Sequence, residues 1–82
     1  MPLFMDVHRV DQVDPDALAS AHERDLEVQD RHGVRFERYW FSEEQGRIFC
    51  LVDAPDADAA AAVHRDAHGL LAEEIIPVRE GA

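Results

Sequence analysis

One cysteine, few positive charges and no long apolar run set the first bounds on this chain. Among its 82 residues, 8 lysines and arginines stand against 18 aspartates and glutamates, for a formal charge of −10. That field repels phosphate backbones and anionic lipid, which disfavours nucleic-acid and membrane-surface roles and leaves cations as the favoured visitors. The single cysteine, Cys50, makes no internal disulfide, so no disulfide framework holds the fold and a reducing compartment is expected. The apolar stretch from Pro2 to Val10 is interrupted by Asp6, His8 and Arg9 and lacks a basic start. It therefore reads as neither signal peptide nor membrane span, and a cytoplasmic protein is expected. Repeats, linkers and low-complexity tracts are missing too, apart from the helix-favouring alanine run Ala59–Ala62. A chain of this length suits one domain, residues 1–82, with a two-layer core, but it is too short to enclose a roomy active site in one protomer.

What is present orders itself into six elements. Leu3 to Val10 alternates and carries Phe, Val and Met, which predicts a first strand. After a turn at Asp11–Val13, Asp14-Pro15-Asp16 is a helix start: Asp14 caps, Pro15 fits the first helical position and Asp16 favours the positive end of the dipole. This helix is expected to run to about Arg31, with Gly33 near its C-cap. Val34–Ser42 and Arg47–Val52, joined by Glu43-Glu44-Gln45-Gly46, form a β-hairpin. Ala54-Pro55-Asp56 ends the second of these strands, Asp56 caps a helix from about Ala57 to His68, and Gly69 stops it before a last strand, Ile75–Arg79.

The order βαββαβ predicts an α+β, ferredoxin-like fold: a four-stranded antiparallel sheet with two helices on one face. The other face, for which Phe41 and Phe49 are candidates, then needs a cover. A homodimer packing sheet on sheet, a dimeric α/β barrel, is the expected solution.

Five histidines carry the chemistry. With Leu18 at zero and about 100° per residue, Ala21 and Val28 fall on one side of the first helix and Leu26 on the other, with His22 and Asp25 between them. An imidazole and a carboxylate on an inward stripe must be hydrogen-bonded, ligated to metal or open to a wet cleft. On the second helix Ala60, Val63, Ala67 and Leu71 make the core stripe, with His64 close beside it and His68 further round. Their four-residue spacing can place two imidazoles on one metal, and an exposed HxxxH also arises by chance.

Cys50 sits mid-strand between Phe49 and Leu51, where a lone cysteine usually packs as a small apolar group. His8 shares a face with Asp6 on the first strand. Parallel adjacency of the first and third strands would bring His8 to Cys50 and, with His64, form a mixed nitrogen and sulfur set suited to nickel, zinc, copper or cobalt. His32, just before Gly33, reads as a charge at the helix end. Tyr39 and Trp40 are expected on opposite faces of the sheet, and the scattered acidic residues lack the spacing of a calcium loop.

The stretches FMDVHRV, YWFSEEQGRIFCLVDAPDADA and VHRDAHGL resemble a family of short, mostly uncharacterised bacterial ferredoxin-like proteins that includes nickel-binding members. The resemblance spans nearly the whole chain; its most specific marks are Cys50 followed by Ala54-Pro55 and a helix that bears His64 and ends near Gly69. It implies a nickel-binding homodimer engaged in sequestration or homeostasis, and it supports His8, Cys50 and His64 best. The full pool of candidate metal ligands is His8, His22, Cys50, His64 and His68, with no catalytic residue assigned. Two alternatives stand beside it: a small dimeric enzyme of monooxygenase or isomerase type using His22, Asp25 and Tyr39 in the cleft between sheet and helices, and a non-catalytic regulatory or interaction module.

Overall fold

The computed structural model describes residues 2–81. Strands β1 (Leu3–Arg9), β2 (Arg35–Ser42), β3 (Arg47–Asp53) and β4 (Glu74–Val78) form one sheet, and helices α1 (Pro15–Val28) and α2 (Ala57–Ala67) pack on one side of it. The strand order is β2-β3-β1-β4 and every pairing is antiparallel. This is the expected ferredoxin-like arrangement, with one correction inside it. β1 and β3 run antiparallel, with Asp6 opposite Cys50 and His8 opposite Ile48. In a split βαβ unit it is β1 and β2 that share a direction, so the strand inserted between them must oppose both.

Both helices start where the sequence places them. Asp14 accepts from the amides of Asp16 and Ala17 at 3.1 and 3.3 Å, with Pro15 in the first turn, and Asp56 accepts from the Ala59 amide at 2.8 Å. Each cap satisfies amides that have no partner within the helix, worth about 1 kcal/mol. The first helix ends earlier than expected: the α-helical hydrogen bonding stops at Val28, a 3-10 turn spans Gln29–His32, and Gly33 follows with φ of 66°. His32 does not act there as an isolated end charge, because its Nε2 meets Asp66 on α2 at 2.7 Å.

α2 closes at Gly69, whose φ of 79° is a left-handed conformation that favours glycine. The amides of His68 and Gly69 both donate to the carbonyl of His64. Leu71 therefore lies beyond the helix and is 52% exposed, which removes it from the predicted core stripe.

Period-two alternation places Phe4, Asp6 and His8 of β1 on the helix side, level with Val52, Cys50 and Ile48 of β3. The apolar core lies at one end of this layer, where Phe4, Phe36, Val52 and Ala54 meet Ala60 and Val63 of α2. Val52 and Val63 are fully sealed, and burial of each stabilises by about 2 kcal/mol.

β2 carries a register irregularity between Phe36 and Arg38. Two residues there oppose one on β3, and the alternation shifts by one. Tyr39 and Phe41 consequently face the helices, stacked 6.4 Å apart, while Trp40 faces outward opposite Phe49. Phe49 lies on the open face as expected, but Phe41 does not. The open face instead carries Met5, Val7, Trp40, Phe49, Leu51 and Ile76, with Trp40 and Ile76 more than two-fifths exposed.

Candidate metal centre

Four elements meet at the far end of the layer. β1 supplies Asp6 and His8 from its inward face, β3 supplies Cys50 directly opposite Asp6, and the last two turns of α2 supply His64, with His68 one turn on. α1 supplies Asp25, buried one turn on from Ala21. Asp6, His8, Asp25, Cys50 and His64 are all buried, His64 to within 1% of complete exclusion from solvent.

His64 is the hub. Its Nδ1 lies 2.9 Å from Asp25 Oδ1 and its Nε2 lies 2.8 Å from Asp6 Oδ2. Ionised carboxylates only accept, so both ring nitrogens donate and the ring is an imidazolium. Burial acts to lower its affinity for the second proton, but the bonds to Asp25 and Asp6 outweigh burial and hold the pKa up at about 9. Burial likewise acts to raise Asp6, and here His64 and His8 prevail, bringing it down to about 2.

Cys50 shows the opposite outcome. Burial, reinforced by the neighbouring Asp6 charge, pushes its thiol far above the usual range, so the sulfur keeps its proton. His68 sits at the margin: burial lowers its pKa, against the pull of Asp25, with whose Oδ1 its Nε2 makes a 3.1 Å contact.

Two donor groups result among the described residues. Asp6, His8, Cys50 and His64 can each present a ligand atom within 4.8 Å of the others, and Asp25, His64 and His68 can do the same. The first group contains the observation that bears most directly on a cation. Asp6 Oδ1 is buried and lacks a hydrogen bond of acceptable geometry, although His8 Nε2 stands 3.2 Å away as an ion-pair contact. A sealed carboxylate oxygen with unfilled acceptor capacity fits a metal ion, and imidazole, thiolate and carboxylate donors together fit the borderline divalent metals.

A cavity of about 30 Å³ adjoins the cluster, with His22, Tyr39, His68 and Leu70 among the residues that line it. It has room for an ion and a water or two.

The structure thus brings His8, Cys50 and His64 together. His68 joins them through Asp25, while His22 lines the same cavity with its ring 4.6 Å from Tyr39 and belongs to neither donor group. The inward pairing of His22 with Asp25 is corrected as well, since the Asp25 carboxylate turns to His64 and His68. Asp6 was absent from the predicted ligand pool. Its signal was a carboxylate in phase with both Phe4 and His8 on the inward face of the first strand.

Fold and site together define a small ferredoxin-like protein with a buried cluster of imidazole, carboxylate and thiol groups, the donor types that suit borderline divalent metals. The family described as "Nickel responsive protein SCO4226-like" matches residues 4–78, and the chain belongs to this family. It is also similar to the protein of the "Crystal structure analysis of SCO4226 from Streptomyces coelicolor A3(2)", at 41% identity and a TM-score of 0.89, over 98% of this chain and 99% of that one. No curated protein matches the chain.

Proposed function

We propose that the protein is a cytoplasmic nickel-binding protein that sequesters the ion or buffers its concentration, without catalysis of its own. The observation that carries this is the convergence of four buried donors, Asp6, His8, Cys50 and His64, within 4.8 Å of one another in a chain of charge −10. The family is nickel-responsive, which makes nickel the first metal to test, with zinc, cobalt and copper as competitors for the same donors. His22 and His68 complete the pool as groups that line the adjoining cavity.

The ion is the cargo here, and its affinity is set against protons. Cys50 must surrender its thiol proton and His64 its Nε2 proton before either can ligate, so binding is to tighten as pH rises.

A sheet-on-sheet homodimer is part of the proposal. Trp40, at 47% exposure, and Ile76, at 43%, stand among half-buried Met5, Val7, Phe49 and Leu51 on the open face, and a second copy would cover them. Sedimentation of a stable monomer at micromolar concentration would reject it.

An enzyme acting on an organic substrate draws less support, because a cavity of about 30 Å³ falls far short of the several hundred cubic ångströms such sites occupy. Its one thiol is also held protonated, away from the nucleophilic state. Calorimetry with Ni²⁺, Zn²⁺ and Co²⁺ on protein without an affinity tag decides the matter, using alanine variants at Asp6, His8, His22, Cys50, His64 and His68. Micromolar or tighter nickel binding lost in the Asp6, Cys50 and His64 variants is the expected result; no binding at micromolar metal would sink the proposal.

A further inference from the structure

The hydrogen bonds behind His64 have a direction. Leu70 donates its backbone N–H to Nδ1 of His68 at 3.0 Å, and a backbone amide can only donate. Nδ1 of His68 is therefore the accepting nitrogen, and its proton sits on Nε2, the atom that faces Asp25 Oδ1 at 3.1 Å. The same Oδ1 accepts from Nδ1 of His64 at 2.9 Å. One carboxylate oxygen, all but sealed from solvent, thus takes a hydrogen bond from His64 and the ion-pair contact of the protonated His68 Nε2.

This arrangement separates the two histidines of the HxxxH pair. His64 keeps an Nδ1–H toward Asp25 whether or not its Nε2 carries a proton, so Nε2 is the nitrogen free to exchange that proton for a metal among Asp6, His8 and Cys50. His68 has no such freedom. To ligate through Nε2 it would need its proton on Nδ1, pointed at the N–H of Leu70, and two donors would then face each other.

Building on the nickel-binding reading, we propose that Asp25 is the positioning residue of the metal centre, fixing His64 so that it ligates through Nε2, and that His68 anchors Asp25 instead of touching the ion. A carboxylate behind a ligating imidazole fixes the tautomer and ring orientation and makes the ring a better donor, and its loss costs 10- to 100-fold in affinity. The donor group Asp25, His64 and His68 is then the support of the site, and the Leu70 backbone ties that support to the end of α2.

The test is Ni²⁺ calorimetry on the full chain with Asp25→Ala, Asp25→Asn and His68→Ala, joined to ¹⁵N NMR of the histidine rings in the Zn²⁺-loaded, diamagnetic protein. Asp25→Ala is expected to weaken nickel by 10- to 100-fold. Asp25→Asn, whose amide oxygen can still accept, recovers most of that loss, and His68→Ala costs less than about 10-fold while keeping one ion per chain. In the spectra, His64 should show a metal-bound Nε2 and a protonated Nδ1, and His68 no metal-bound nitrogen. A role in folding alone would leave the His64 tautomer unchanged in whatever Asp25→Ala protein folds, whereas a positioning role loses the fixed Nδ1–H there and keeps it in Asp25→Asn.

Metal coordination by a His68 nitrogen, or unchanged affinity in a folded Asp25→Ala protein, overturns the inference and leaves nickel binding standing. Absence of any bound ion in the unaltered chain overturns both.

Discussion

The layer between sheet and helices has two ends of opposite chemistry, although the same strands and the same helix line both. At one end Phe4, Phe36, Val52, Ala60 and Val63 form an apolar core, with the Phe36 ring 4.7 Å from that of His64 at the boundary; at the other Asp6, His8, Asp25, Cys50 and His64 are equally buried. Along the inward face of β1 the change takes two residues, from Phe4 to Asp6, and along α2 it takes one, from Val63 to His64. Burial itself is common to the two ends, so it does not distinguish core from site. What differs is how each end is compensated: dispersion and exclusion of water in the first, and ion pairs that must offset a large desolvation cost in the second.

Removing one partner from the polar end should have the largest effect. Asp6→Ala strips His64 and His8 of their shared carboxylate and leaves the buried Nε2 of each without that partner, an expected loss of about 3–5 kcal/mol in urea unfolding of the metal-free protein. A loss below about 1 kcal/mol would mean that the pair contributes nothing to the fold.

The pH profile comes next. His64 has its pKa raised to about 9 from 6.5, so its contribution is complete below pH 6.5 and disappears as pH rises through 9. Asp6 is lowered to about 2 from 3.8, so its contribution is present above pH 3.8 and lost as pH falls through 2. Metal-free protein should therefore be most stable between about pH 4 and 6.5 as far as this pair is concerned, and weaker by on the order of 3 kcal/mol above pH 9.5. An unfolding midpoint that is flat from pH 6 to pH 10 would remove the charged pair from the account.

At the apolar end, Val52→Ala should cost about 2 kcal/mol, from lost burial plus the cavity left behind, with nickel affinity unchanged. A parallel loss of nickel binding would show that the two ends are not independent. The smallest stability change is expected when the polar end is rebuilt as the other already is. Asp6→Leu, Asp25→Leu and His64→Phe together should leave stability roughly unchanged or slightly higher while abolishing nickel binding, because a buried ion network is seldom more stabilising than apolar packing of the same volume. A chain that fails to fold would assign the network a structural role that no apolar substitute fills.

Most of the architecture was legible in residue order. The caps at Asp14 and Asp56, the alternation of Leu3–Arg9 and the glycines at 33 and 69 are local signals, each acting within a few residues. The irregularity between Phe36 and Arg38 left no such trace, since Glu37 resembles any edge-strand residue, and it sent Phe41 to the face opposite the expected one. Leu71 was misplaced for a related reason: helical phase was extended through Gly69, where the backbone turns left-handed.

In the site, His8, Cys50 and His64 were recognisable as residue types that bind borderline metals. Asp6 was not, because a carboxylate on a strand reads as solvated until its neighbours are known. Asp25 was placed on the correct stripe and given the wrong neighbour, since helical phase gives an inward direction but not what stands across the gap.

The sequence by itself determined the element order, the helix boundaries at their capped ends, the acidic charge and the stock of imidazole and thiol donors, because these depend on composition or on residues within a turn of one another. Only the tertiary structure decided which donors meet. The antiparallel register that sets Cys50 against Asp6, and the helix packing that brings Asp25 and His64 together across 39 positions, are long-range contacts fixed by burial of the whole layer. The charges follow from the same cause: a carboxylate at about 2 and an imidazole at about 9 exist only once both are sealed together away from water.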